Sequence, residues 1–109
     1  MRFLLKVHIP VEAGNQAVLE GRLVKTIQKI LEAQRPEEAY FTADSGERTG
    51  LLIVNLENAS KIPAMAEPWF LAFKAAIDFQ PLMTLEDLQK AAPDITTSAK
   101  ICAQELVGV

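Results

Sequence analysis

Phe3-Leu4-Leu5-Lys6-Val7-His8-Ile9-Pro10 is the stretch of sequence from which the fold is read. Its odd-numbered positions are all apolar, whereas its even-numbered positions include a lysine and a histidine. This period-two pattern is typical of a β-strand with two unlike faces. Pro10 ends the strand, because proline has no backbone N–H to donate to a neighbouring strand.

A long amphipathic helix is predicted next. Asn15 is an N-cap residue by type, and apolar side chains recur at spacings of three and four from Leu19 onward, through Gln34. Gly21 lies inside this pattern, where glycine costs about 1 kcal/mol relative to alanine. Either close packing against another backbone or simple tolerance accounts for it.

Three further strands are predicted from residue content and alternation. Residues 39–43 have aromatic and β-branched content, residues 44–50 are rich in turn formers, and residues 51–56 are apolar on both faces. We therefore expect a hairpin whose second arm is a central strand. Residues 75–80 alternate again and end at Pro81.

Two helical regions complete the pattern. A helix is predicted over residues 61–73, in two short pieces because Pro68 interrupts it. Thr84-Leu85-Glu86-Asp87 fits a capping box with aspartate at its last position, which predicts a short helix through Lys90. A last helix is predicted over residues 94–107. The resulting order is βαββαβ with an extra C-terminal helix.

The composition indicates one small globular domain. The chain has 109 residues, half of them apolar, and a formal charge of −3. This charge and the lack of a basic cluster disfavour nucleic-acid binding. No apolar run approaches the roughly 18 residues that cross a bilayer, and charge interrupts the N-terminus too early for a signal peptide. We therefore expect a cytoplasmic protein with no membrane contact.

The predicted sheet has one face that its own helices leave uncovered. Right-handed crossovers place both helices on one side of a four-stranded antiparallel sheet. The residues expected to face the helices are Phe3, Leu5, Val7, Ile9, Leu52, Val54, Leu56, Ile77 and Phe79. The opposite face receives Leu4, Lys6, His8, Leu51, Ile53, Asn55, Ala76, Asp78, Gln80 and Leu82. Because half of that face is apolar, we expect a homodimer packed sheet to sheet. The alternative is a monomer whose C-terminal helix folds under the sheet.

The chain also resembles a known superfamily. The residues that carry the resemblance are His8-Ile9-Pro10, Ala66-Glu67-Pro68-Trp69-Phe70 and the segment from Phe79 to Leu88. They look like members of the dimeric α+β barrel superfamily, which is ferredoxin-like, and in particular like an uncharacterised bacterial branch of it. The resemblance covers roughly residues 1–91 and implies that residues 92–109 are an extension packing on its own or the partner subunit. It implies little about function, since the superfamily includes isomerases, cofactor-independent monooxygenases, haem-degrading enzymes and proteins with no known activity.

The candidate site lies on the uncovered face. His8 is the natural proton shuttle, with Asp78 orienting it or pairing with Lys6 instead, and Lys6 is placed to hold an anionic or enolate oxygen. The predicted ligand-binding residues are Asn55, Gln80, Trp69 and Tyr40. The structural alternative is that the polar residues form an interface salt bridge and hydrogen bonds across the dimer, and that Trp69 is packed in the core.

The sequence is consistent with two functions. The first is a homodimer that binds a small hydrophobic molecule in the barrel cavity. The second is a cofactor-independent isomerase or monooxygenase acting on a small aromatic or lactone-like substrate with His8 as acid/base. Neither requires a cofactor. One histidine and one cysteine cannot make a closed Cys/His zinc site. In the haem-degrading members of the superfamily that the chain resembles, the histidine lies on a helix, whereas His8 lies on a predicted strand, so the resemblance disfavours haem.

Overall fold

A computed structural model describes the backbone of residues 1–107 and the side chains of residues 1–104. The strands are β1 (Arg2–Ile9), β2 (Glu38–Asp44), β3 (Glu47–Asn55) and β4 (Ala76–Pro81). The helices are α1 (Val11–Leu19), α2 (Leu23–Gln34), α3 (Ile62–Phe73) and α4 (Leu85–Val107), and a 3-10 turn, Ala59–Lys61, precedes α3. No helix within these residues is long and apolar enough to cross a membrane.

The four strands form one antiparallel sheet in the order β2-β3-β1-β4. Leu5 at the centre of β1 lies opposite Leu52 of β3 and Phe79 of β4, and the next residue, Lys6, lies opposite Leu51 and Asp78. Because side chains alternate along a strand, this register assigns every strand residue to one of two faces. The predicted α+β class and four-stranded antiparallel sheet are confirmed.

The core lies on the face that the helices cover. Leu5, Val7, Leu52 and Val54 are at most 1% exposed, and they pack with Trp69 and other residues of the helices. All nine residues predicted to face the helices are buried or packed against this core. The prediction of the core face is therefore correct.

The long helix predicted from Asn15 through Gln34 is wrong in two respects. Helix α1 begins at Val11, directly after Pro10, so Asn15 lies inside it. The helix then ends, and Gly21 has a φ of 69° between α1 and α2. The N–H of Gly21 donates to the Val18 carbonyl and the N–H of Arg22 to the Ala17 carbonyl. This is a Schellman C-cap, for which glycine is the favoured residue.

Pro68 does not divide α3, contrary to the prediction of two pieces. A proline at this position leaves the carbonyl of Ala64, four residues earlier, without its helical donor. The side chain of Gln34 on α2 supplies the missing donor, since its Nε2 lies 3.2 Å from the Ala64 oxygen and 2.9 Å from the Met65 oxygen. Helix α3 therefore stays continuous because of a contact with another helix.

The hairpin turn is shorter than predicted. Only Ser45 and Gly46 connect β2 to β3, both with positive φ, which is the two-residue turn that suits twisted strands. Residues 47–50, predicted as turn, belong to β3. The strand consequently brings Arg48, Thr49 and Gly50 into the sheet.

Helix α4 projects away from the rest of the molecule. It runs unbroken from Leu85 across Pro93, where two separate helices were predicted. Residue 91, where the resemblance ends, therefore lies inside this helix. The predicted capping box is confirmed: the Thr84 N–H donates to Asp87 and the Asp87 N–H to the Thr84 hydroxyl. Nearly all described side chains of α4 are exposed, and the molecule is 65 Å long but only 29 and 21 Å in its other dimensions.

Candidate functional site

The uncovered sheet face carries most of the predicted site residues. The register directs Lys6 and His8 of β1, Tyr40 of β2 and Asp78 of β4 to this side. Thr49 of β3 lies directly opposite His8 and points the same way. Sequence reasoning missed Thr49, because it was placed in a turn rather than in a strand.

His8 is held between two side chains. Its Nδ1 is 3.3 Å from the Thr49 hydroxyl oxygen, and its Nε2 is 3.9 Å from Asp78 Oδ2. The Thr49 hydroxyl donates to the Glu47 carbonyl at 3.0 Å. Because a hydroxyl has one proton, Thr49 then accepts from Nδ1–H. The Nε2 lone pair of neutral His8 is left on the side of Asp78, and a protonated His8 presents Nε2–H to that carboxylate.

Lys6 pairs with a residue that was not predicted. Its Nζ lies 3.8 Å from Asp44 Oδ2, although Asp78 is its direct neighbour in the sheet. The carboxylate of Asp78 instead faces His8, as one of the two predicted arrangements had it. Lys6, His8 and Asp78 are thus brought together.

Asn55 and Gln80 lie towards the other end of the sheet. Asn55 pairs with Arg2 in the register, six residues from His8 along β1, which corresponds to roughly 20 Å. Its side-chain oxygen accepts from the N-terminal ammonium of Met1 at 3.0 Å. Gln80 is exposed opposite Leu4. The structure does not bring these two residues to His8 within one chain.

The two predicted aromatic residues lie on opposite sides of the sheet. Tyr40 is on the uncovered face, 57% exposed, and donates to Glu38 at 2.6 Å, a hydrogen bond that raises the pKa of its phenol. Trp69 is fully buried on the helix-covered side and donates from Nε1 to Gln34 Oε1 at 3.2 Å. One site in one chain cannot include both.

Trp69 lines an apolar cavity of about 510 Å³ on the helix-covered side. The cavity lies between α2 and the strands β1, β2 and β3. Its lining residues are Val7, Ile9, Leu23, Val24, Ile27, Gln28, Leu31, Phe41, Thr42, Arg48, Thr49, Gly50 and Trp69. We refer to it as the α2 cavity. It is separated from His8 by the sheet, and His8 does not line it.

Among the described residues that line the α2 cavity, Arg48 has the only charged side chain. Its Nη1 donates to Asn15 Oδ1 on α1 at 3.1 Å. Gly14 makes room for it, because a Cβ at that position would lie 2.6 Å from Nη1. Helix α1 therefore contacts the guanidinium through one hydrogen bond and leaves space for it at Gly14. Sequence reasoning missed Arg48, since it too was assigned to the turn.

A second cavity, of about 520 Å³, is lined by Arg2, Glu37, Glu38, Ile53, Leu82, Met83 and Thr84. Arg2 and Glu37 form an ion pair of 3.0 Å within it. Arg2 is thus already paired with Glu37, and Glu38 accepts a hydrogen bond from Tyr40. It also does not include His8.

No protein-family model matches the chain, and the search of curated proteins finds no significant match.

Proposed function

We propose that this protein is a homodimer that binds a small, mostly apolar molecule carrying one anionic group. The observation that carries the proposal is the α2 cavity. Its volume of about 510 Å³ falls within the roughly 300–1,000 Å³ of ligand pockets. Apolar walls with a few fixed polar groups are the usual composition of such sites. We therefore propose that the ligand binds on the helix side of the sheet rather than between two sheets.

The chemistry of the lining sets the ligand class. Ile27, Leu31 and Phe41 offer only apolar contacts, which favours a hydrocarbon body or an aromatic ring. Arg48 is the one charged group, and a guanidinium pairs well with a carboxylate or a phosphate. A small carboxylate on an apolar body satisfies both features.

Trp69 provides the readout for a binding test. It is the only tryptophan of the chain and it lines the cavity, so its fluorescence should report an occupant. We expect 3-phenylpropanoate to change Trp69 emission saturably, and to bind more tightly than 3-phenyl-1-propanol, which lacks the carboxylate. Arg48→Met should weaken the carboxylate about tenfold, equivalent to 1.4 kcal/mol, and leave the alcohol unchanged.

Two matched variants locate the binding. Val24→Phe enlarges a side chain at the cavity, whereas Leu19→Phe enlarges an 88% exposed side chain on α1 outside the cavity. We expect only the first to weaken binding. Equal affinities in both variants would show that 3-phenylpropanoate binds elsewhere.

The homodimer rests on the uncovered sheet face. Leu4, Leu51 and Ile53 form an apolar centre there, with basic residues on β1 and acidic residues on β2 and β4. A second copy turned by a two-fold axis can set its acidic outer strands against the basic central strand. Four strands of this length cover roughly 500 Å² per copy, near the ~600 Å² per partner of the smaller stable interfaces. The strand order and the helices on one face loosely resemble a ferredoxin-like fold, and we propose on this basis that the chain is a dimeric α+β barrel.

The mass in solution tests this interface. Leu51→Asp places a carboxylate at the centre of the uncovered face and should halve the mass measured by light scattering. The control is Leu19→Asp on the exposed side of α1, which should leave the mass unchanged. If both variants keep the mass of the wild type, the sheet face is not an interface.

The second candidate function is acid–base catalysis on the uncovered face. Its specific support is the placement of His8 between Thr49 and Asp78, which leaves Nε2 as the reactive nitrogen. Such a base can remove a proton next to the carbonyl of a small lactone and return it to the same or a neighbouring carbon. Lys6 would then stabilise the enolate oxygen.

Deuterium exchange tests the catalytic function without a known substrate. Incubation with α-angelica lactone in D₂O should replace the proton next to the carbonyl, as followed by ¹H NMR, and His8→Ala should abolish the excess rate over buffer. A rate that is unchanged in His8→Ala, or equal to that of buffer in the wild type, would reject this function.

A further inference from the structure

Helix α4 carries an uninterrupted apolar seam along its length. Apolar residues recur at alternating spacings of three and four, and in the described side chains they are Leu85, Leu88, Ala92, Ile95, Ala99 and Cys102. All six are exposed, including Leu85 at 70% and Ile95 at 55%. This is the heptad spacing of a coiled coil, whose natural occupant is another helix.

The sizes of the seam residues select an antiparallel partner. The large residues stand in the first half except for Ile95, and the small residues stand mainly in the second half. When a second α4 runs antiparallel about a point between Pro93 and Asp94, every large side chain meets a small one. The pairs are Leu85 with Cys102 of the partner subunit, Leu88 with Ala99 of the partner subunit, and Ile95 with Ala92 of the partner subunit. In a parallel pair, each seam residue would instead meet the same residue of the other helix, so the alanines would face each other and leave gaps.

Charge distribution agrees with this arrangement. Among the described side chains, the positions that flank the seam are uncharged, namely Gln89, Ala91, Thr96, Ser98 and Ala103, so two helices can approach there without like-charge repulsion. The two helix dipoles also oppose each other.

The outer face of α4 carries the features that do not suit a contact. Pro93 projects away from the seam, and Thr97 donates to its carbonyl at 3.0 Å. Lys90 and Glu86 form an ion pair of 3.5 Å on that side. The outer side is thus mainly polar, although Ile101 is also exposed there at 56%, whereas the seam side is apolar and uncovered.

We propose that α4 pairs with α4 of a second copy as an antiparallel coiled coil, which forms an interface separate from the uncovered sheet face. The seam begins at Leu85, beyond the end of the sheet, and none of its residues belongs to the α2 cavity. This interface therefore does not depend on ligand binding or on sheet-to-sheet association. The homodimer that the sheet face forms can then join a second homodimer through α4.

A disulfide cross-link tests the proposed register. In the full chain, Leu85→Cys should join Cys102 of the partner subunit when oxidised glutathione takes up the electrons of the two thiols. We expect a covalent dimer on a non-reducing gel to form roughly a hundredfold faster than in Lys90→Cys, because pairing raises the effective thiol concentration. Lys90→Cys is the matched control, since it keeps Cys102 but places the second thiol on the outer face.

Three outcomes decide the proposal. Rapid cross-linking of Leu85→Cys, lost when Ile95→Lys is added, supports it. Equal rates for Leu85→Cys and Lys90→Cys overturn it. Rapid cross-linking of the wild type through Cys102 alone would indicate a parallel pair and also overturn it. None of the described side chains of α4 belongs to the buried core, so Ile95→Lys should leave the domain folded. Leu51→Asp should not affect this cross-link. A failure of the α4 pairing can therefore be distinguished from a failure of the sheet interface.

Discussion

Gln34 stabilises the fold through three hydrogen bonds at once. It donates to the carbonyls of Ala64 and Met65 and accepts from the indole of Trp69. Gln34→Leu would leave Trp69 Nε1 without its acceptor in the core and the Ala64 carbonyl without a donor. We expect the free energy of unfolding, measured in urea, to fall by about 1–3 kcal/mol.

The control for this variant is Gln16→Leu, on the exposed part of α1, where a change within about 0.5 kcal/mol is expected. A similarly small effect for Gln34→Leu would mean that these hydrogen bonds contribute little. Sequence analysis could not assign this role, because it arises from a contact between two helices and depends on a proline in one of them.

The tautomer of His8 is fixed by Thr49. Because Thr49 donates to the Glu47 carbonyl, neutral His8 should carry its proton on Nδ1. His8 is the only histidine, so its ring nitrogens can be assigned directly by ¹⁵N NMR. Thr49→Val should shift the population towards the Nε2–H form. A predominantly Nε2–H form in the wild type would contradict the hydrogen bonding described.

The substitution Gly21→Ala tests whether the helix is broken at this position or continuous. In a continuous helix, Gly21→Ala would stabilise the protein by about 1 kcal/mol. In the observed C-cap, where Gly21 has a φ of 69°, alanine is strained and should destabilise it by about 1 kcal/mol. The sign of the change in the free energy of unfolding therefore decides between them.

The capping box of α4 should make that helix sensitive to acid. Hydrogen bonds from the Thr84 backbone and side chain lower the pKa of Asp87 from its ordinary value of 3.8. A carboxyl with a lowered pKa in the folded state stabilises above its unfolded pKa, and the effect is lost as the pH falls through the folded value. Helicity measured by circular dichroism should thus decrease below about pH 4, and Asp87→Asn should reduce that decrease. An identical pH profile in both proteins would argue against the cap.

The elements differ in how well local sequence predicts them. The alternation of residues 3–9 identified β1 and the core face, because burial on one face imposes the period directly. The two prolines predicted helix breaks that do not occur. Gln34 replaces the hydrogen-bond donor that is missing at Pro68, and Pro93 lies on an exposed helix face. The predicted turn, residues 44–50, is too long, and it therefore includes Arg48 and Thr49, which belong to β3.

At the scale of the whole molecule, the sheet separates two surfaces with different chemistry. Lys6, His8 and Asp78 meet on the uncovered face as the strand pattern predicted. The α2 cavity on the other side was not predicted, because its shape depends on how α2 and α3 sit against the sheet. Trp69 was expected either to be packed in the core or to line a ligand site, and it is both buried and part of the cavity wall.

The most direct test of the proposed ligand site is a methyl NMR titration with 3-phenylpropanoate. Binding in the α2 cavity should shift the methyl signals of Val24, Ile27 and Leu31, while those of Leu51 and Ile53 on the uncovered face stay in place. Saturable shifts confined to Leu51 and Ile53, or no saturable shift at any of the five residues, would contradict a ligand site in the α2 cavity.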